Sequence, residues 1–422
     1  MTAPEPRFIQ LSTLTSYPAA LLNRDDSGLA KRILFGGAMR TRVSSQCLKR
    51  HWRTADDEYA LANIGPDVHN ALRSRAVFEK RIFDPLVEEG LPDKAVLAVL
   101  EVWGSALYGK KGKEDEDGGN QSKSKKKKTD DQNEEAKSLG EALRRKEVVV
   151  LGLKEIEFIR NKTAEICREA NGDPKTAAKL VQDRLKDKAF KSAFNELKKQ
   201  AGAGVDAAMF GRFVSSDPDA RITSAVHVAH ALTVHEESSE ADYFTAVDDL
   251  LTATEGGSGH LGAAELTSGL YYNYVVIDVR QLTANLEGVE PERWLAADRT
   301  LAARLVKHLI HLMSRVSPGA KLGATAPYDH AGLVLAEAGA RQPRTLANAF
   351  LDPAPLEAPD LFGRTVASLT DYLASMDAMY GGHEQRWLAC RIDASAPDAA
   401  RTSVPELADA VEQCILQAGG DQ

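Results

Sequence analysis

Arg40-Thr41-Arg42-Val43-Ser44-Ser45-Gln46-Cys47-Leu48-Lys49-Arg50-His51-Trp52-Arg53 is the stretch on which the reading of this chain turns. Its first half alternates. Arg40, Arg42 and Ser44 fall at every second position, so on a strand both arginines share one face. The second half has helical spacing, with apolar Leu48 and Trp52 one turn apart and Ser44-Ser45 ahead of them as N-cap candidates. On that helix Gln46, Lys49, Arg50 and Arg53 lie within three or four positions of one another. A strand that delivers basic side chains to a capped helix N-terminus favours an anion, because exposed amides and the helix dipole both attract phosphate. Two readings fit this spacing: a phosphate-backbone site and a solvated basic face.

Residues 23–53 carry eight basic side chains against only Asp25 and Asp26, a net +6 in 31 residues. The 422-residue chain has a formal net charge of -8, so everything outside this block sums to -14. The overall balance argues against a nucleic-acid binder, whose domain is usually basic, but its distribution does not. Length predicts two to three domains at ~150 residues each. Hydrophobic residues at 43% and charged residues at 27% are ordinary for a soluble protein, and 6% aromatics leaves few rings for stacking. Cys47, Cys167, Cys390 and Cys414 form no C-x-x-C pair, which removes the disulfide-framework and zinc-ribbon readings and favours reduced thiols. Residues 1–20 contain Glu5 and Arg7 and no apolar run of a secretory signal. The longest apolar runs, at 95–100 and 148–151, fall far short of the ~18 residues of a membrane helix. A soluble, cytoplasmic protein that does not engage a membrane is expected.

Phe8-Ile9-Gln10-Leu11-Ser12 reads as a strand, and Gly36-Gly37 as a turn. From about residue 61 to 201 the pattern is helical, with Phe78, Ile82 and Leu86 at i, i+4, i+8 and Pro85 ending or kinking the first helix. Within it, residues 110–135 hold eight lysines against eight acidic residues and nothing apolar but glycine, which predicts a disordered charged loop. Strand patterning returns at 225–234 and 270–279, with Glu255-Gly256-Gly257-Ser258-Gly259 as the tip of a long hairpin between them. Residues 294–315 form an amphipathic helix ended by Pro318-Gly319, and the tail from about 345 is helical with proline interruptions. Strands separated by a helical block predict an α+β fold with insertions.

The runs Leu22-Asn23-Arg24-Asp25-Asp26, Phe35-Gly36-Gly37 and Arg40 to Arg50 are followed in order by five further stretches. These are Val205-Asp206 to Gly211-Arg212, Ala229-His230-Ala231, Asp242 to Leu250, His260-Leu261-Gly262 with Ser268 to Tyr272, and Pro318-Gly319-Ala320-Lys321 with Leu346 to Phe350. Together they resemble the CasC-type backbone subunits of the type I-E CRISPR surveillance complex Cascade. The resemblance implies a ferredoxin-like, RRM-related palm with a helical fingers insertion and a β-hairpin thumb. Mapped onto this chain, the palm falls at 1–60, 205–235 and 269–350, the fingers at 61–204, the thumb at 236–268 and a C-terminal helical segment at 351–422. It further implies that several copies polymerise head-to-tail along a guide RNA (crRNA), together with other Cascade subunits. The spacer is then presented to target DNA through base pairing. Carried over residue by residue, the RNA contacts fall on Arg24, Lys31, Ser44, Gln46, Lys49 and Arg53 in the palm and on Thr245 and Leu261 in the thumb. Phe213 stands where the family commonly has Met, and either packs on a base or belongs to the core.

No catalytic residue, metal or cofactor is expected. His227, His230 and His235 do not make a zinc site, since His227 and His230 face opposite sides of a strand and His227 and His235 would be ~26 Å apart. His308 and His311 lie one helical turn apart without a Cys or carboxylate partner. Asp25 and Asp26 carry the alternative reading, a metal-dependent RNA endonuclease subunit of a type III-like complex. Structural pairing of these aspartates with Arg24 or Arg42 is the expectation against it.

Overall fold

The computed structural model describes residues 5–66, 68–108, 139–198, 203–212, 221–247, 258–357 and 359–419. The charged segment 110–135, Phe213 and most of the expected hairpin tip lie outside them. The chain divides into two compact units, one built from 1–64, 226–280 and 292–422 and the other from 65–225 and 281–291.

The strands in chain order are β1 (Phe8–Ala20), β2 (Arg32–Phe35), β3 (Ala38–Val43), β4 (Leu72–Ser74), β5 (Val149–Leu151), β6 (Val226–Val228), β7 (Ala231–Thr233), β8 (Ser239–Val247), β9 (Ser258–Asp278), β10 (Leu333–Gly339), β11 (Gln385–Cys390) and β12 (Ala399–Arg401). In the first unit they form one mixed sheet ordered β12-β11-β10-β1-β9-β7-β3-β2, with β6 and β8 also paired to β9. Every pairing is antiparallel except β11 with β12. The fold is therefore α+β, as expected. β1 is central and buried on both faces, so polar side chains on it need partners. Tyr274 Oη donates to Gln10 Oε1 at 2.7 Å, and Ser12 Oγ and Tyr272 Oη share a 3.0 Å bond. One face is covered by the helix Leu361–Tyr380 through Phe362, Val366, Leu369 and Leu373. The helix Thr300–Arg315 packs on β1 and on the helix Val404–Leu416.

Two details depart from the sequence reading. Residues 294–299 are not part of the long helix: Pro291–Ala296 is a short 3-10 turn, and Asp298 accepts from the Thr300 amide at 2.9 Å to begin the helix there. The tail is not wholly helical. Trp387, Leu388 and Ala389 bury in β11 between two helices, a short apolar run that periodicity alone does not assign.

The second unit is mainly helical, with Asp93–Tyr108, Leu153–Glu169 and Pro174–Arg184 packed around Trp103, Ile159, Ile166 and Val181, and a small β4–β5 ladder. Pro85 does not end the first helix; the π-turn Glu79–Phe83 runs directly into Asp84–Glu88, so the wide turn lies just ahead of the proline, which has no amide to offer the preceding helical carbonyls. The conspicuous Asp206 and Arg212 are structural here. Asp206 accepts from the Ala71 amide at 2.5 Å and pairs with Arg73 at 3.1 Å, and Arg212 pairs with fully buried Glu155 at 2.6 Å.

Back in the first unit, Arg40 holds the β2–β3 hairpin in place. Fully buried, it donates to the carbonyls of Phe35 at 3.2 Å, Thr233 at 3.3 Å and Phe350 at 2.9 Å. Replacing it with Met leaves several buried carbonyls without donors, and urea denaturation should show a loss of about 2–4 kcal/mol. Arg42→Met, at a half-buried position two residues on, should cost no more than about 0.5 kcal/mol. Equal losses for the two variants would contradict this assignment.

Candidate nucleic-acid interface

The helix α1 (Ser45–Arg53) begins where the sequence places it. Ser44 is the N-cap, its Oγ accepting from the Cys47 amide at 3.3 Å, and no acidic residue stands in the first turn. Leu48 and Trp52 bury the inner face. The positive end of the helix dipole is thus left uncompensated by carboxylate.

Asn23 gathers the surrounding elements. Its Oδ1 accepts from the Ser44 amide at 2.9 Å and its carbonyl accepts from the Lys31 amide at 3.0 Å. One side chain and its own carbonyl therefore tie the loop carrying Arg24, the strand start carrying Lys31 and the cap of α1. His51 extends the tie: its Nδ1–H donates to the Cys47 carbonyl at 2.8 Å, and its Nε2 accepts from the Gly319 amide at 3.4 Å. Ala320 in turn donates its amide to the Leu21 carbonyl at 2.9 Å. These segments line an open cleft of about 490 Å3 beside Arg24, Cys47 and His51. Burial pushes the Cys47 thiol up, with Lys31 and Arg50 pulling the other way, so both cations are close to it.

The basic block does not act as one patch. Arg32 pairs with Glu237 and Glu265 at the base of the β8–β9 hairpin, and Arg40 is spent on buried carbonyls. Alternation puts Arg40 and Arg42 on the same side of β3, but the turn at Phe350 and Leu351 covers only Arg40. Arg24, Lys31, Arg42 and Arg50 have no ion-pair partner among the described residues. Lys49 and Arg53 lie half-buried on α1, and Gln46 is exposed in its first turn. Arg24, Lys31, Ser44, Gln46, Lys49 and Arg53 are thus brought to α1 and its flanking loop.

Thr245 and Leu261 are direct cross-strand partners in the β8–β9 hairpin. Next to them Tyr243 is 72% exposed and Phe244 45% exposed, and the Lys321 ammonium lies 5.7 Å from the Phe244 ring centroid. Sequence spacing does not single out Tyr243, Phe244 or Lys321; exposure on the hairpin brings out the two rings, and proximity to Phe244 brings out Lys321. Phe213 lies outside the described residues. Asp25 does not pair with Arg24 or Arg42 as expected. Its Oδ1 accepts from the amides of Ser27 at 2.9 Å and Leu29 at 3.0 Å, closing a tight turn that local geometry makes cheaper than an ion pair. Asp26 is exposed, with no paired arginine among the described residues. The histidines scatter too: His235 is buried, with Nε2 accepting from the Leu270 amide at 3.1 Å.

Asn23→Ala removes the acceptor for the Ser44 amide and should lower stability by about 1–2 kcal/mol in urea denaturation. It should also weaken binding of single-stranded RNA, while Asp26→Ala does neither. Wild-type stability and RNA affinity in Asn23→Ala would contradict its role as the tie.

No curated protein matches the chain. Among solved structures, a chain of a "CRISPR RNA-guided surveillance complex, pre-nicking" superposes with a TM-score of 0.70 at 24% identity, covering 97% of this chain and 100% of that one. A chain of another "CRISPR RNA-guided surveillance complex" gives 0.54 at 20% identity, covering 96% and 98%. At these identities the likeness is one of fold. No helix among the described residues is long and apolar enough to cross a membrane. The family described as CT1975-like protein matches residues 9–415, nearly the whole sequence, and the chain belongs to that family.

Proposed function

We propose that this chain is a non-catalytic, guide-RNA-binding backbone subunit of a Cascade-type surveillance complex of the type I-E kind. The observation that carries the reading is electrostatic. In a chain of net charge -8, Arg24, Lys31 and Arg42 flank the capped, carboxylate-free start of α1 and Arg50 stands in its last turn, all four with no ion-pair partner among the described residues. Leaving several cations together without counter-charge is unfavourable unless an anion of matching extent is the partner. The shared fold with chains of RNA-guided surveillance complexes points to RNA as that anion.

The strand order supports the palm. β10-β1-β9 with β6 and β7 beyond, a helix after β1 and the helix Thr300–Arg315 between β9 and β10, is the order of a ferredoxin-like, RRM-related unit. The β8–β9 hairpin is the thumb in this reading. A guide-holding subunit has to accept any spacer, so it touches phosphates and 2'-hydroxyls and leaves base edges free. Arg, Lys, Ser and Gln side chains suit that task. Sequence is then read by pairing of the guide with target DNA. Copies stacked head-to-tail make an open filament whose length the RNA and other subunits set. Exposed Tyr243 and Phe244 offer the thumb a face for a displaced base, beside Thr245 and Leu261. The acidic remainder keeps RNA off other surfaces of this cytoplasmic subunit.

The endonuclease alternative loses support because Asp25 is engaged by two backbone amides. When the assembled complex is incubated with complementary RNA and Mg2+, the RNA should remain intact. Regular cleavage that disappears in Asp25→Ala or Asp26→Ala would establish the nuclease instead. For the grip itself, Lys31→Ala combined with Lys49→Ala should reduce co-purified RNA of every sequence alike, and each change should lower the salt slope of binding by about 0.7. Undiminished RNA retention in the double variant would refute the proposed site.

A further inference from the structure

β6 and β7 are two strands only because one residue too many lies between them. Val228 pairs with Val275 and Leu232 with Tyr272, so four steps on one strand oppose three on β9. The Ala229 amide still reaches the Tyr274 carbonyl at 2.9 Å, which confines the extra residue to the Ala229-His230-Ala231 corner. Such a bulge re-aims a side chain out of the ladder, and here it turns out exposed His230. The imidazole Nδ1 lies 2.9 Å from an Arg42 guanidinium nitrogen, while Arg42 Nε donates to the Arg32 carbonyl at 3.3 Å. Val43, which follows Arg42, pairs with Ala231, which follows His230, so the contact is anchored in the sheet itself. Since Arg42 has no carboxylate partner among the described residues, both of its ties are to neutral acceptors and its charge remains uncompensated.

We propose that Arg42 is a phosphodiester-binding residue and that His230, held out by the bulge, is the positioning residue that aims it. This rests on the reading of the chain as an RNA-binding subunit and adds to its grip His230 and the orientation of Arg42. Partial burial, then Arg42, then Lys31 hold the His230 imidazole below its usual pKa. It is therefore neutral at pH 7, with the Nδ1 lone pair able to accept from Arg42. A guanidinium fixed at Nε and at one terminal nitrogen keeps its remaining N–H groups in one direction. That pre-orders the fork that makes Arg a good phosphate ligand. Lys31 lies on the same edge, its carbonyl accepting from the Arg42 amide at 2.8 Å, and supplies a second, independent cation.

The test is a double-mutant cycle on the full-length chain, read by fluorescence anisotropy of a labelled single-stranded RNA of mixed sequence at pH 7.5 and constant salt. Arg42→Ala and His230→Ala should each weaken binding by about three- to tenfold. The pair Arg42→Ala/His230→Ala should stay within about twofold of Arg42→Ala alone, because His230 acts through Arg42. His230→Asn, whose side-chain oxygen stands near the place of Nδ1, should recover most of the affinity. Lys31→Ala and Arg42→Ala should instead multiply. Wild-type affinity in His230→Ala, or multiplying losses for Arg42 and His230, would overturn the inference while leaving the RNA-binding reading in place. Failure of the wild-type chain to bind RNA would overturn both.

Discussion

One continuous strand organises the first unit. β9 runs for 21 residues, pairing with β8 over its first half and with β1, β6 and β7 over its second. An exposed two-stranded hairpin is only marginally stable in water. Here its long strand enters the buried centre of the sheet, where Tyr272, Tyr274 and Val276 pack under the helix Leu361–Tyr380. Through that shared backbone the hairpin is continuous with the core. The register change between Tyr17 and Ala20 marks the point where the hairpin leaves the sheet, and Ser268 and Thr267 bond to β1 backbone there at 2.9 and 2.8 Å. Pro18 fits at such an irregularity because no ladder bond is asked of it.

The same strand divides the basic residues by task. Glu265 on β9 and Glu237 just before β8 take up Arg32, and Glu265 also accepts from the Ala30 amide at 2.5 Å. These contacts join the loop holding Arg24 and Lys31 to the foot of the hairpin. Arg40 is withdrawn into the core. What is left at the surface is a smaller set of cations than the sequence count suggests, standing beside the α1 cap, on the loop tied to it by Asn23, or along α1 itself. Charge that is structural and charge that is free for a ligand differ by their partners, and partners depend on residues more than 190 positions away.

Much of this was legible in the chain itself. The Ser44 cap, the apolar pair Leu48 and Trp52 and the start of α1 follow from local chemistry, and the structure has them in place. The α+β class follows from separated strand and helix patterns. The fate of individual arginines was not legible, because Arg32, Arg40 and Arg42 differ only in which distant carboxylate or carbonyl the fold brings to them. Nor was the role of Asp25, whose two amide partners come from a tight turn. The bulge at His230 was hidden as well: 225–234 reads as one strand, and only the pairing with β9 exposes the extra residue. Among the interface residues, Tyr243 and Phe244 owe their prominence to exposure, a quantity that sequence periodicity on a two-sided hairpin leaves open.

The central claim is that RNA lies along α1, its flanking loop and the β8–β9 hairpin. Ultraviolet cross-linking of the purified complex to its own RNA, followed by mass spectrometry of the adducted peptides, addresses that claim most directly. Adducts are expected on peptides spanning Arg24 to Lys31, on α1 and on the peptide containing Tyr243 and Phe244. Adducts confined to the helical unit of residues 65–225, with none on these peptides, would contradict it.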